Sequence, residues 1–163
     1  MIIWILGPPG SGKTFIARLL SQMTGFRHYE GDEFHTEEDR RAVAAGLFTV
    51  EHRHQQLAKI IAKLREDCVP DAIVTHPLPD KASRALIREV SDGTASLIYV
   101  RAPFDLIEER IGARNDHHFT VDLLEPWMTR HWKEPEPGEC YVIDNDPDAR
   151  PLIAQLEVFL QSH

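Results

Sequence analysis

The chain opens on six apolar residues, Met1-Ile2-Ile3-Trp4-Ile5-Leu6, half of them β-branched. A run of this kind predicts a strand buried on both faces. Over residues 14–23 the apolar positions become Phe15, Ile16, Leu19, Leu20 and Met23, the spacing of an amphipathic helix. The alternation then repeats. Residues 26–30 predict a second strand, and residues 37–45 and 51–68 predict helices, the second with Leu57, Ile60, Ile61 and Leu64 turned inward. Residues 72–75 predict a third strand after the Pro70-Asp71 turn, and residues 80–90 a helix with Leu86, Ile87 and Val90 inward. Residues 95–100 form the clearest later strand. Pro103 stands where helix starts tolerate proline, ahead of a helix over 104–111. Residues 121–132 predict a further helix, 141–143 a last strand and 152–160 a last helix. Strands alternating with helices imply crossover connections and an α/β fold with a mainly parallel sheet. Such a sheet is covered on both faces and gathers its ligands at the carboxyl ends of its strands.

Composition narrows the class. At 163 residues the chain suits one domain. Its 42% apolar and 27% charged residues are those of an ordinary globular protein. Asp and Glu total 26 against 18 Lys and Arg, a net charge of −8, which argues against a nucleic-acid-coating surface. Two cysteines, Cys68 and Cys140, make neither a disulfide framework nor a zinc site. The apolar start is too short for a signal peptide, and no run reaches the roughly 18 apolar residues of a membrane span. The expectation is a reduced, cytoplasmic protein with no membrane partner.

Candidate chemistry begins where the first strand ends. Gly7-Pro8-Pro9-Gly10-Ser11-Gly12-Lys13-Thr14 fits the phosphate-loop pattern, between a buried strand and an amphipathic helix. Its glycines let the backbone turn several N–H groups toward one anion, and the helix amino end adds partial positive charge. Lys13 supplies a point charge for terminal phosphates, and the Thr14 hydroxyl can ligate Mg²⁺. The pattern points to a nucleoside triphosphate without specifying a reaction.

The second strand ends in Glu30-Gly31-Asp32-Glu33-Phe34-His35. From a strand tip Asp32 could accept a proton from a substrate hydroxyl, or hold Mg²⁺ through water; Asp is equally common as a turn or helix cap. Glu33, Glu37, Glu38 and Asp39 fit a solvated helix amino end. No acid ends the third strand, which leaves Asp32 as the candidate for both roles. Arg110 and Arg114 share a helix face and could clamp phosphates, or could simply pair with Glu108 or Glu109 at the surface. The polar residues 115–118 suit a lid over about 112–122. The nine histidines form no chelating pattern, because His52 and His54, and His117 and His118, are wrongly spaced. Trp127, Met128 and Trp132 could serve the core, the lid or a homodimer surface.

Together these pieces resemble the gluconokinases, small P-loop carbohydrate kinases related to shikimate kinases. Gly7–Thr14 matches their phosphate loop and Gly31-Asp32-x-x-His35 their G-D-x-x-H. Arg84-Ala85-Leu86-Ile87-Arg88 is similar to their R-D-L-L-R, and Ile98 to Arg110 to their fourth strand and following helix. Arg114-x-x-His117-x-Phe119 looks like their lid motif, and Ile143-Asp144-Asn145-Asp146 like the late strand and loop beside the adenine. The resemblance implies a three-layer fold with a five-stranded parallel sheet in the order 2-3-1-4-5. It implies ATP- and Mg²⁺-dependent phosphoryl transfer to a hydroxyl of a sugar acid, usually gluconate. Lys13 and Thr14 would hold ATP and Mg²⁺, Asp32 would face the acceptor, Arg110 and Arg114 would belong to the lid, and Asp144 and Asn145 would border the nucleotide.

The departures fall on the acceptor side, over about residues 32–58 and 75–88. Where the family carries P-L-x-D-x-D-R-x-P-W, this chain reads Leu47-Phe48-Thr49-Val50-Glu51-His52-Arg53-His54-Gln55-Gln56, keeping Arg53. Where the family has S-A-L-K, it reads Thr75-His76-Pro77-Leu78-Pro79-Asp80-Lys81. Asp116 replaces the lid glycine. Candidate acceptor contacts are therefore Asp32, His35, Arg53, His76 and Arg84, with Lys81 behind them. Two other readings stay open: a nucleoside monophosphate kinase, although such loops usually continue Lys-Gly-Thr, and an ATP-binding regulatory module without transfer.

Overall fold

The apolar opening run forms strand β1 (Ile2–Leu6), and its side chains divide strictly between two faces. Trp4 and Leu6 join one core with Tyr29, Val74, Leu97 and Tyr99, whereas Ile3 and Ile5 join a second with Ile73, Ile98, Val100 and Ile143. In the computed structural model, which describes residues 1–91, 93–113 and 119–162, β1 is the middle of a five-stranded sheet. Its partners are β2 (Arg27–Glu30), β3 (Ala72–Thr75), β4 (Ser96–Arg101) and β5 (Tyr141–Asp144), in the order β2-β3-β1-β4-β5. Every pairing is parallel; Ile3 lies opposite Ile73 on one side and Ser96 on the other. This is the sheet order that the resemblance implied.

The helices are α1 (Lys13–Thr24), α2 (Glu37–Ala44), α3 (Val50–Glu66), α4 (Lys81–Val90), α5 (Phe104–Gly112), α6 (Val121–His131) and α7 (Leu152–Ser162). Helices α3, α4 and the end of α6 cover the Trp4 face through Leu57, Ile60, Ile87 and Trp132; α1 and α7 cover the other through Ile16, Leu20, Leu156 and Phe159. Each fully buried Leu or Ile contributes roughly 1.5–3 kcal/mol by leaving water. Helix α5 packs on α6 through Ile107, Ile111 and Leu124. Among the described residues no helix is long and apolar enough to cross a membrane.

Local chemistry sets the boundaries. Thr36 with Asp39 and Thr49 with His52 close capping boxes on α2 and α3, and the Asp80 carboxylate caps α4 by accepting from the Ser83 N–H. Three expectations change. Phe15 and Val90 follow the helical period but are exposed, because they lie at the margins of their apolar stripes. Asp39 is buried, not solvated, since its carboxylate accepts from the Thr36 backbone and hydroxyl. Between β2 and α2 the chain makes a 3₁₀ turn, Gly31–Phe34, which carries Asp32. Arg114, Asn115, Asp116, His117 and His118, the heart of the expected lid, lie outside the described residues.

Candidate active site

The carboxyl ends of all five strands share one edge, because the sheet is wholly parallel, and the candidate residues gather there. At its centre β1 runs into Gly7–Lys13. Gly12 occupies the N-cap of α1 at φ +101°, and a Cβ there would overlap the Asn145 amide, so glycine is required twice over. No side chain caps α1, which leaves its first-turn N–H groups facing the loop. Lys13 Nζ donates to the carbonyls of Gly7 (3.0 Å) and Pro8 (2.9 Å), folding back across the loop. The Ser11 hydroxyl is fully buried without a hydrogen-bond partner among the described residues.

Asn145 and Arg110 brace the loop from the β5 side. The Asn145 amide donates to the Ser11 carbonyl at 2.7 Å, and Arg110 reaches the carbonyls of Ser11 and Asn145, each at 3.4 Å. Asp144 beside them is held by a two-pronged pair with Arg101 at 2.6 and 3.0 Å. Pro8, Phe104, Asp144 and Asp146 border a cleft of about 590 Å³ here. A second cavity of about 600 Å³, beside Arg88 and Cys140, lies at the opposite end of the sheet and shares none of these groups.

On the other side, Glu30 ends β2 with its carboxylate between two hydroxyls. Thr14 Oγ1 donates to Oε2 at 2.8 Å, and Thr75 Oγ1, at the tip of β3, donates to Oε1 at 2.5 Å. With its proton committed to Glu30, the Thr75 oxygen accepts from His28 Nε2 at 3.1 Å. Burial lowers the His28 pKa, the principal effect, against the raising influence of Glu30. Sequence reasoning missed Glu30 and Thr75. The signal available was an acid at a strand's last residue, facing the phosphate-loop threonine one crossover away.

Asp32 follows in the 3₁₀ turn with its carboxylate 73% exposed, and His35 Nδ1 lies 3.9 Å away. Burial lowers the His35 pKa, so the ring favours its neutral form; Asp32 and Asp39 oppose that shift. His35 also meets Phe48 edge-on, and Phe48 stacks on His52, each with ring centres 5.3 Å apart. These contacts tie the turn to the start of α3.

The two acceptor-side arginines are engaged inside the protein. Arg53, 4% exposed at its side chain, donates to Asp80 at 2.7 Å. Arg84, 1% exposed, donates to both carboxylate oxygens of Glu139 (2.7 and 3.3 Å) and to the carbonyls of Leu78 and Lys133. Lys81 pairs with Glu136 at the surface. Arg53 therefore ties α3 to the cap of α4, whereas Arg84 ties α4 to the segment before β5. His76 is fully buried, and burial holds its pKa well below the usual value, with Arg53, His35 and Lys13 adding to the effect.

The residues fit a nucleotide. Uncapped helix N–H groups, Lys13 and an unpartnered buried hydroxyl form an anion cradle. Thr14, Glu30 and Asp32 offer only oxygen, the donor type that Mg²⁺ prefers. The described residues hold no cluster of three or more His, Cys, Asp or Glu side chains arranged for a metal ion. Mg²⁺ ordinarily takes one or two carboxylates and completes its shell with phosphate and water.

A model of the family described as AAA domain matches residues 2–125. A probable gluconokinase of Mus musculus is 26% identical over 143 residues, spanning 76% of this chain and 78% of that protein. The thermoresistant gluconokinase of Escherichia coli is 26% identical over 159 residues, 92% of this chain and 87% of the relative. A probable adenylyl-sulfate kinase of Aeropyrum pernix is 31% identical over 116 residues, 68% and 63% of the two chains. Among solved structures, a sugar kinase from a Janibacter species superposes with a TM-score of 0.79 at 26% identity, over 98% of this chain and 92% of that one. The gluconokinase resemblance read from the motifs thus extends across nearly the whole chain.

Proposed function

Because the chain belongs to the AAA-domain family, with gluconokinases and a sugar kinase among its relatives, we propose that it transfers the γ-phosphoryl group of ATP to a hydroxyl of a sugar acid. A gluconate-like molecule is the preferred acceptor. The observation that carries this reading is the meeting of two strand tips: the Gly7–Thr14 loop after β1, and the end of β2, where Glu30 bonds Thr14 and the next turn bears Asp32.

Phosphoryl transfer asks a protein mainly for position and charge neutralisation. Lys13 and the amino end of α1 would neutralise the terminal phosphates. Thr14, Glu30 and Asp32 would hold Mg²⁺, which supplies charge compensation between the phosphates when bound. Asp32, the exposed carboxylate of the set, would take the proton of the attacking hydroxyl. Arg110, already against the Ser11 carbonyl, would stabilise charge on the transferring group. A cytoplasmic setting suits an enzyme that draws on ATP.

The test is ADP release with Mg²⁺ over a panel of gluconate, other sugar acids, neutral sugars, shikimate, adenylyl sulfate and nucleoside monophosphates. Gluconate or a related acid should give the highest kcat/KM. Asp32→Asn should lower kcat by about 10²- to 10⁴-fold, the usual worth of a general base, with ATP binding retained. Preference for adenylyl sulfate would favour a second reading, transfer to a hydroxyl of adenylyl sulfate, which rests on the 31% identity to the adenylyl-sulfate kinase. Tight ATP binding with no product from any acceptor would mark a regulatory module.

A further inference from the structure

We infer that Gln56 and His76, two side chains standing where this chain leaves the gluconokinase pattern, are positioning residues that hold the Asp32 turn in place for phosphoryl transfer; this rests on the kinase reading above.

The hydrogen bonds between them have only one consistent direction. The Leu78 backbone N–H donates to His76 Nδ1 at 3.1 Å, so Nδ1 is an acceptor and the ring proton resides on Nε2. His76 Nε2 lies 3.1 Å from Gln56 Oε1, which must accept that proton. The Gln56 amide nitrogen, thereby fixed in orientation, donates to the Gly31 carbonyl at 2.7 Å. His76 and Gln56 are 2% and 1% exposed, so no water competes for these bonds. Gly31 is the first residue of the turn that carries Asp32.

Two further features lead to the same segment. Leu78, fully buried, sits at φ +41°, a conformation that a leucine holds only when its surroundings impose it. Its N–H is the one that His76 accepts, and its carbonyl accepts from Arg84. The preceding Pro77 carbonyl accepts from the N–H of Gly7, the first glycine of the phosphate loop. At the other end, a Cβ on Gly31 would overlap the Thr75 carbonyl, so the turn lies directly on the tip of β3. Residues 75–78 therefore touch the phosphate loop on one side and the Asp32 turn on the other. His76 and Gln56 carry the connection, and Gln56 also interacts with His35 at the end of the turn. A displacement of about 1 Å at a reacting group can cost on the order of 100-fold in rate, so such a brace matters to chemistry as well as to folding.

Gln56→Met keeps the volume and removes both bonds. His76→Gln keeps an amide that can still donate to Gln56. Each variant is read three ways: steady-state kinetics with the best acceptor, ATP affinity, and amide hydrogen exchange over the turn and over α1. For Gln56→Met the expectation is a 10- to 100-fold loss of kcat, ATP affinity within twofold of wild type, and exchange at His35 N–H, which bonds the Asp32 carbonyl, at least tenfold faster with α1 unchanged. His76→Gln, which keeps a bond to Gln56, should lose less kcat than Gln56→Met. A folded Gln56→Met enzyme with kcat within twofold of wild type, or with unchanged exchange at the turn, overturns the proposal. So does a parallel loss of ATP affinity and α1 protection, which marks a general structural role. Should Gln56→Met fail to fold, His76→Gln alone decides, by the same turn-specific exchange and kcat readouts. A wild-type protein that phosphorylates no acceptor overturns the kinase reading instead, and hydrogen exchange then judges the brace independently.

Discussion

Glu30 shows how much one methylene-extended carboxylate can organise at a strand tip. It accepts from Thr14 on the phosphate-loop side and from Thr75 on the β3 side, so it sets the Thr14 hydroxyl in a defined direction. Glu30→Gln removes one acceptor and the negative charge while conserving shape. We expect the Mg²⁺ concentration needed for half-maximal rate to rise, and kcat at fixed Mg²⁺ to fall, by roughly 10- to 100-fold, the usual effect of losing a group that orients a metal ligand. A Mg²⁺ titration of ADP release checks this; an unchanged requirement would leave Glu30 a structural acceptor only. Lys13, Thr14 and Asp32 stand out in the sequence as candidates because local motifs carry them. Glu30 does not, because its partner Thr75 comes near only through the pairing of β2 with β3.

At the scale of elements, helix and strand positions read well from apolar spacing, and their ends shift by one or two residues where caps intervene. The fate of Arg53 and Arg84 could not be read this way. A basic residue on an amphipathic helix ordinarily faces water, whereas here Asp80 and Glu139 draw both inside. Arg84 joins α4 to residues 133–139 through Glu139 and the carbonyls of Leu78 and Lys133. Arg84→Met should strand the Glu139 carboxylate in a dry site and destabilise the protein by about 3–5 kcal/mol, as broken buried pairs do. Urea unfolding measures it. A variant of normal stability with a raised acceptor KM would return Arg84 to the substrate contacts. The 3₁₀ turn at Gly31–Phe34 escaped the sequence for a similar reason: its first residue meets Gln56 and the Thr75 carbonyl, both distant in sequence.

The whole molecule carries a charge-linked stability of definite sign. Burial lowers the pKa values of His28, His35, His76 and His131 below their usual 6.5, so the folded chain binds fewer protons than the unfolded chain just below that pH. Stability is then complete above pH 6.5 and declines as the pH falls toward the lowered folded values. At Glu139, burial acts to raise the pKa, but the hydrogen bonds from Arg84 and the Glu136 N–H outweigh it. Its lowered value adds a further loss in the carboxylate range below pH 4.5. Melting temperatures between pH 7.5 and 5.5 should therefore drop on acidification, and a flat profile would contradict the buried neutral histidines. The strand order has a different consequence, in the time domain. Strand β1 leads the chain, yet its neighbours are β3 and β4, with Ile3 opposite Ile73 and Ser96. During synthesis β1 emerges before either neighbour and waits unpaired until the middle of the chain follows it. Long-range parallel pairing of this kind slows folding and exposes an aggregation-prone edge in the interval. The nucleotide cradle at the end of β1 is thus made before the strands that fix its shape.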